Sequence, residues 1–187
     1  MNYAKLIIGM AKSFSHPTAP PIRQLKAVVD LIETPALARV YAHILQSGPV
    51  TVAAIVDDLA VPQGSAYEYV DRLESAGLIA NVRNQRPAAY DGDPLSLTLS
   101  TDGETRTITP VLIAAVARRA EDQDIDVFIE RHGIDGLAVA LEYAYQYVEG
   151  TVNHRIAARE LDISPLEAEI ILQALEPVVS TYGDGPG

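Results

Sequence analysis

The fold is decided by residues 64–79, which read GSAYEYVDRLESAGLI. The apolar side chains of this stretch recur at the spacing of one helical face, at Ala66, Tyr69, Val70 and Leu73. Gly77 follows them at the position where helices commonly end in a left-handed residue. The stretch therefore predicts a helix that Ser65 caps and that ends at Ala76, with one buried face and one exposed face.

Two shorter helices are predicted before it. Thr34 and Pro35 have the pattern of an N-cap followed by proline at the first helical position, and this helix extends to Gln46. Thr51 is placed to cap a short helix that ends at Leu59, and residues 61–64 form a tight turn. A short helix, a turn and a second helix in this order constitute a helix-turn-helix, whose second helix fits the major groove of DNA.

Strand patterns follow the third helix. Residues 78–83 alternate as a strand, residues 84–87 form a turn, and residues 88–91 return antiparallel. Asp102 and Gly103 form a hairpin signal between two further alternating segments. We therefore expect a mainly α chain of the α+β class, in which a winged helix-turn-helix precedes a helical C-terminal unit.

The remaining pattern is helical and gives the predicted domains. Helices are expected at 22–32, 111–121, 124–132, 135–148, 153–161 and 165–179. The predicted organisation is an N-terminal arm and helix at 1–33, a winged helix-turn-helix with β-hairpins at 34–109, a helical dimerisation unit at 110–182, and a disordered tail at 183–187.

The residue pattern of the helix-turn-helix recurs in the C-terminal unit at a constant offset of 102 residues. The matched pairs are Tyr41 and Tyr143, Gly48 and Gly150, Leu59 and Leu161, Val61 and Ile163, Ala66 and Ala168, and Leu73 and Leu175. We interpret this recurrence as a second tri-helical unit without a wing. The alternative is that any two amphipathic three-helix units align in this way by their spacing alone.

Charge is distributed unevenly along the chain. Residues 1–119 carry 11 basic and 11 acidic residues, whereas residues 120–187 carry 3 basic and 14 acidic residues, which is the whole net charge of −11. DNA contacts are therefore expected from the N-terminal part. The basic residues comprise 3 lysines and 11 arginines, a composition that resembles proteins of extreme halophiles. An ordinary acidic protein is the alternative.

Residues 64–79 also resemble the recognition helix of winged helix-turn-helix transcriptional regulators of the MarR/TrmB/ArsR-like type, here of haloarchaeal character. Such regulators end this helix with a Val-x-x-Leu-x-x-x-Gly-Leu-Ile/Val pattern, which is matched by Val70, Leu73, Gly77, Leu78 and Ile79. The resemblance covers about 60 residues, from Thr34 to Asp91. It implies a homodimer that binds a palindromic operator in double-stranded DNA.

The candidate DNA-binding residues lie on the exposed face of the third helix and on the wing. They are Gln63, Ser65, Tyr67, Glu68 and Arg72 of the helix, and Arg83, Asn84, Gln85 and Arg86 of the wing. The helix N-terminus meets bases or phosphates when such a helix docks, and arginines at a hairpin tip reach the backbone or a narrow minor groove. Glu68, Asp71 and Glu74 are unusual on such a helix, and a solvated face is the alternative.

The other function classes receive little support. The chain has no cysteine, and its four histidines show no metal-ligand spacing. No nucleophile–base pair or phosphate-binding glycine loop is recognisable, so we expect no enzyme, no metal and no cofactor. No apolar run is long enough for a signal peptide or a membrane span, so a cytoplasmic protein without a membrane partner is expected. A winged-helix adaptor that binds protein instead of DNA is the runner-up.

The dimer is expected to form through helices outside the tri-helical core. The candidates are the 22–32 helix, the 111–121 helix and the C-terminal unit. Residues 111–117 are apolar without interruption, and we expect a chain of this size to lack the core to surround them alone. In a regulator, Lys5, Lys12 and Lys26 should share one face of the dimer with Arg72, Arg83 and Arg86, and in an adaptor they should be scattered. No effector ligand can be assigned from the sequence.

Overall fold

The computed structural model describes residues 21–83, 85–101 and 104–182 and shows a winged-helix α+β fold, as predicted. The first helices are α1 (Pro21–Glu33), α2 (Pro35–Ser47), α3 (Val52–Leu59) and α4 (Gln63–Ala76). The strands are β1 (Ile79–Asn81), β2 (Tyr90–Gly92), β3 (Leu97–Thr101) and β4 (Glu104–Ile108). The last helices are α5 (Pro110–Arg118), α6 (Gln123–Val148), α7 (His154–Leu161) and α8 (Pro165–Tyr182). Residues 1–20, which belong to the predicted arm, and the predicted tail at 183–187 lie outside the described residues.

The helix ends follow the local sequence signals with two exceptions. Thr51 caps α3 by accepting a hydrogen bond from the Ala54 amide at 3.2 Å, and Gly77 ends α4 in the left-handed conformation. The predicted Ser65 cap is wrong, because the Pro62 carbonyl already accepts from the Ala66 amide and α4 begins at Gln63. Thr34 precedes Pro35 as predicted, but its side chain makes no capping hydrogen bond.

The wing is joined to the helices by a short β-bridge. Strands β1 and β2 pair antiparallel, with Ala80 opposite Asp91. Val50, which precedes α3, exchanges two backbone hydrogen bonds with Tyr90, of 2.9 and 2.8 Å, and so forms a third segment of this sheet. Strands β3 and β4 form a separate two-stranded sheet. The bridge fixes the wing relative to α3 and α4.

Helix α5 is the centre of the core. Its residues 112–117 are all buried within this single chain, and the helix packs against α1 and α2 on one side and α6 and α8 on the other. The expectation that one chain could not surround this helix is therefore wrong. The expectation failed because helices from both halves of the sequence pack around α5 and remove its apolar surface from water.

The C-terminal unit repeats the turn geometry of the helix-turn-helix at the predicted offset. Gly48 and Gly150 both have positive φ, of 72° and 74°. Ala60 and Asp162 end α3 and α7 in the left-handed conformation, with φ of 51° and 54°. Asn153 caps α7 as Thr51 caps α3. The second tri-helical arrangement is confirmed at these turns.

The C-terminal unit confirms one predicted break and changes two predicted helix ends. The break between the predicted 124–132 and 135–148 helices lies within α6, which bends at Gly133, whose φ of 70° is not helical. Helix α5 ends at Arg118 and not at the predicted Glu121, because Asp122 already caps α6. Helix α8 continues beyond Val179 to Tyr182 although it contains Pro177. Among the described residues, no helix has the length and apolarity that crossing a bilayer would need.

Candidate nucleic-acid interface

Helix α4 has the orientation that its apolar spacing predicts. Ala66, Val70 and Leu73 are buried against the tri-helical core, whereas Tyr69 is half-buried. Glu68 lies on the opposite, exposed face, whereas Gln63 is exposed and Ser65 half-buried in the first turn of the helix. Tyr67 is 56% exposed and lies outside the buried face, as the sequence predicts. The N-terminal half of α4 therefore exposes polar and aromatic side chains to solvent.

Arg72 has a neighbour that sequence reasoning did not identify. One of its terminal nitrogens lies 3.8 Å from the Asp30 carboxylate of α1, and both side chains are about one third exposed. This distance is close to the upper limit for an ion pair, and ion pairs with this much solvent exposure contribute little to stability. Arg72 can therefore exchange Asp30 for a phosphate at small cost, but in this structure its side chain is directed towards α1.

The remaining charge on α4 is negative. Glu68, Asp71 and Glu74 are all exposed. Burial raises the pKa of the Tyr90 hydroxyl above its usual value, and the nearby negative charges of Glu74 and Asp71 raise it further. The wing strand β2 therefore lies within the electrostatic reach of the α4 carboxylates, so the helix and the wing form one surface of mixed charge.

The wing carries exposed positive charge. Arg83, Gln85 and Arg86 are exposed, and among the described residues neither arginine belongs to an ion pair. The Asn81 side chain accepts a hydrogen bond from the Arg83 amide at 3.0 Å, which orders the start of the turn. Asn84 lies outside the described residues. Two guanidinium groups without a protein partner are suited to contact phosphates.

The predicted basic face includes Lys5, Lys12 and Lys26. Lys26 is exposed on α1, whereas Lys5 and Lys12 lie outside the described residues. Sequence reasoning also missed Tyr90 and Asp30, whose relation to α4 depends on the Val50 bridge and on the packing of α1. No local signal would have revealed either residue, because both contacts join segments distant in sequence.

Comparisons with known families divide the chain in the same way as the fold. Residues 34–94, which hold α2 to α4 and the wing, match the family described as the sugar-specific transcriptional regulator TrmB. Residues 119–184, which hold α6 to α8, match a family of unknown function, DUF7437. Each match spans less than half of the chain. No curated protein and no solved structure matches significantly.

The predicted resemblance named three related types of regulator, and this match confirms the TrmB type for the winged helix. A TrmB domain indicates a transcriptional regulator, and regulators of that family bind DNA. The exposed α4 face and the unpaired wing arginines lie inside the matched range.

Proposed function

We propose that the chain is a homodimeric transcriptional regulator whose two winged helices bind a palindromic operator. The carrying observation is that Arg83 and Arg86 of the wing are exposed and form no ion pair among the described residues, and that they share the TrmB-matched range with the exposed N-terminal half of α4. In this proposal the protein acts by binding, not by catalysis, and requires no cofactor.

The two elements would have different tasks on DNA. Gln63, Ser65 and Tyr67 lie at the N-terminal end of α4, where a helix docked in the major groove meets base edges. Arg83 and Arg86 would contact the backbone or the minor groove beside it. Base contacts would give sequence preference, whereas the arginines would add affinity for any duplex.

Helix α1 supports the dimer proposal, because within the described part of the chain it exposes apolar side chains. Val28 and Leu31 are buried, but Ile22, Leu25 and Val29 are exposed by 82%, 42% and 43%. Their spacing places all three on one face of α1. Of the predicted dimer elements, α5 is already buried, so α1 and the C-terminal unit remain. A dimer is expected because two half-sites, about 34–36 Å apart, give the usual affinity for an operator.

The acidic composition fits a cytoplasm of concentrated salt, and we include a halophilic archaeal origin in the proposal. The observations behind it are the low lysine content and the 14 acidic residues after position 119. Concentrated salt shortens the range over which these carboxylates repel DNA, to about 3 Å at 1 M. Contacts made directly by α4 and the wing remain effective under these conditions.

The function is tested by selecting bound genomic fragments in concentrated KCl. We expect the wild-type chain to enrich fragments that share a palindrome, and a double Arg83→Gln, Arg86→Gln variant to enrich them weakly. Light scattering should show a dimer for the wild type and a monomer for Val29→Asp. Leu99→Asp is the matched control, because Leu99 is similarly exposed, at 40%, but lies on β3, outside both remaining dimer elements. A wild type that is monomeric, or that enriches no fragment, would contradict the proposal.

A winged-helix adaptor for protein partners is the second candidate. The observations that favour it are the three exposed carboxylates on α4 and the placement of Arg72 beside Asp30. An adaptor would show a dimer or a monomer that enriches no DNA fragment at any salt concentration, so the same selection distinguishes the two functions.

A further inference from the structure

A small cavity lies where the winged helix meets the C-terminal unit. Its volume is about 170 Å³, and its wall is formed by α2, the end of α5 and the end of α8. Helix α2 belongs to the TrmB-matched range and α8 to the DUF7437-matched range, with α5 between them. Any ligand held here would therefore touch both halves of the protein.

Arg118, the last residue of α5, contributes an unsatisfied cation to this wall. Its Nε is buried without a hydrogen-bond partner, and within the described ranges its guanidinium belongs to no ion pair. The neighbouring arginines differ, since Arg119 pairs with Asp126 at 2.7 Å and Arg39 pairs with Glu121 at 2.6 Å. A guanidinium without a carboxylate partner in the described part of the protein can donate to an anionic ligand.

The other polar groups of the wall already have neighbours within the protein. The Gln46 side chain donates to the Tyr182 hydroxyl at 3.1 Å, and burial raises the pKa of that hydroxyl. His43 Nε2 lies 3.2 Å from the Asp58 carboxylate, although the contact lacks the geometry of a hydrogen bond. The Arg118 guanidinium is thus the group whose bonding capacity is left for a ligand.

Size and charge define the ligand class. The cavity is smaller than the roughly 300–1,000 Å³ of sites for drug-sized ligands, so it fits a molecule of few heavy atoms. A carboxylate matches the donor geometry of one guanidinium. A dianion such as phosphate is disfavoured, because the Arg39 charge is matched by Glu121 and the surrounding C-terminal unit is acidic.

We propose that this cavity binds a small monocarboxylate, with its carboxylate on the Arg118 guanidinium. The bound molecule would link α2 to α5 and α8 by filling the space between them. A regulatory consequence rests on the proposed function: since α2 supports α3 and α4, occupancy would change operator affinity. The binding itself does not depend on DNA.

The test is a titration of the full chain, labelled with ¹⁵N, with propionate at constant ionic strength. We expect a saturable shift of the Arg118 Nε–H signal and of backbone amides at the ends of α5 and α8. Propionamide, the neutral analogue, should cause no saturable shift. Arg118→Gln should bind propionate at least about tenfold more weakly, as expected for the loss of a charged hydrogen bond. Arg155→Gln is the matched control, because Arg155 is an exposed arginine on α7, and it should bind normally.

A second variant protects the test against misfolding of Arg118→Gln. Thr181→Phe keeps the arginine but fills the cavity from its rim, because Thr181 lines the wall and is exposed, and it should abolish the shift. The proposal is overturned if the wild type shows no saturable shift, if Arg118→Gln or Thr181→Phe binds as well as the wild type, or if phosphate saturates the site and propionate does not. A chain that binds propionate but no DNA would contradict only the proposed function.

Discussion

Replacing Tyr41 with phenylalanine should destabilise the whole winged helix by removing one oxygen atom. Tyr41 is fully buried in α2. Its hydroxyl donates to the Asp93 carbonyl at 2.8 Å and accepts from the Leu95 amide at 2.9 Å. These bonds tie the segment between the wing and β3 to α2. In the variant, the Leu95 amide remains buried and loses its acceptor.

The expected loss of stability follows from the unpaired Leu95 amide. A buried donor left without a partner costs about 1–3 kcal/mol, whereas the Asp93 carbonyl is only partly buried and can gain water. For a chain of this size, the melting temperature changes by about 2–4 °C for each kcal/mol. We therefore expect Tyr41→Phe to melt about 2–12 °C below the wild type at pH 7.

The dependence of the free energy of unfolding on pH above 10 provides an independent check. Burial raises the pKa of the Tyr41 hydroxyl well above its usual value, whereas the unfolded chain ionises near pH 10. The unfolded state therefore loses this proton first, so the stabilisation is complete below pH 10 and falls by about 1.4 kcal/mol for each pH unit above it. Tyr41→Phe should lack this part of the alkaline decline.

Urea unfolding at pH 7 and across pH 9–11 measures both effects. Tyr143→Phe is the matched control, because Tyr143 occupies the equivalent position 102 residues later and is half-buried. If Tyr41→Phe is as stable as Tyr143→Phe at pH 7 and declines as the wild type does above pH 10, the reasoning about the buried hydroxyl is refuted.

Three further predictions concern α4, the wing and the C-terminal unit. Arg83→Ala or Arg86→Ala should weaken binding to all DNA sequences about equally and reduce the salt slope by about 1, and unchanged affinity over a salt series would remove the wing from the interface. Tyr67→Ala should melt normally, because Tyr67 is mostly exposed, yet select a different sequence; early melting would contradict its placement, and an unchanged site would favour a solvated face. Hydrogen bonding from His132 holds the pKa of the Glu167 carboxyl below its usual value, so its stabilisation is complete above that value and is lost as the pH falls. Glu167→Gln should therefore flatten the loss of melting temperature between pH 5 and 3, and a curve parallel to the wild type would argue against the pair.

The sequence by itself determined the features that depend on neighbouring residues. The orientation of α4 followed from the spacing of Ala66, Val70 and Leu73, and the end of α4 followed from Gly77. The turns at Gly48 and Gly150 were recognisable as a pair because both need a residue with positive φ, which favours glycine. These signals act within one or two helical turns, so they survive without any knowledge of the fold. The Ser65 cap failed because a helix can begin after Pro62 by backbone hydrogen bonds alone.

Only the tertiary structure decided which apolar and polar groups meet across the chain. The pattern of α1 gave one stripe, but contact with α2, α4 and α5 buries Val28 and Leu31 and leaves Ile22, Leu25 and Val29 in solvent. The apolar run of α5 suggested a partner chain, yet helices far away in the sequence surround it. The Tyr41 bonds and the Arg118 cavity likewise join segments more than 50 residues apart. Burial depends on residues that are distant in sequence, and local periodicity does not encode which of them will pack against a given surface.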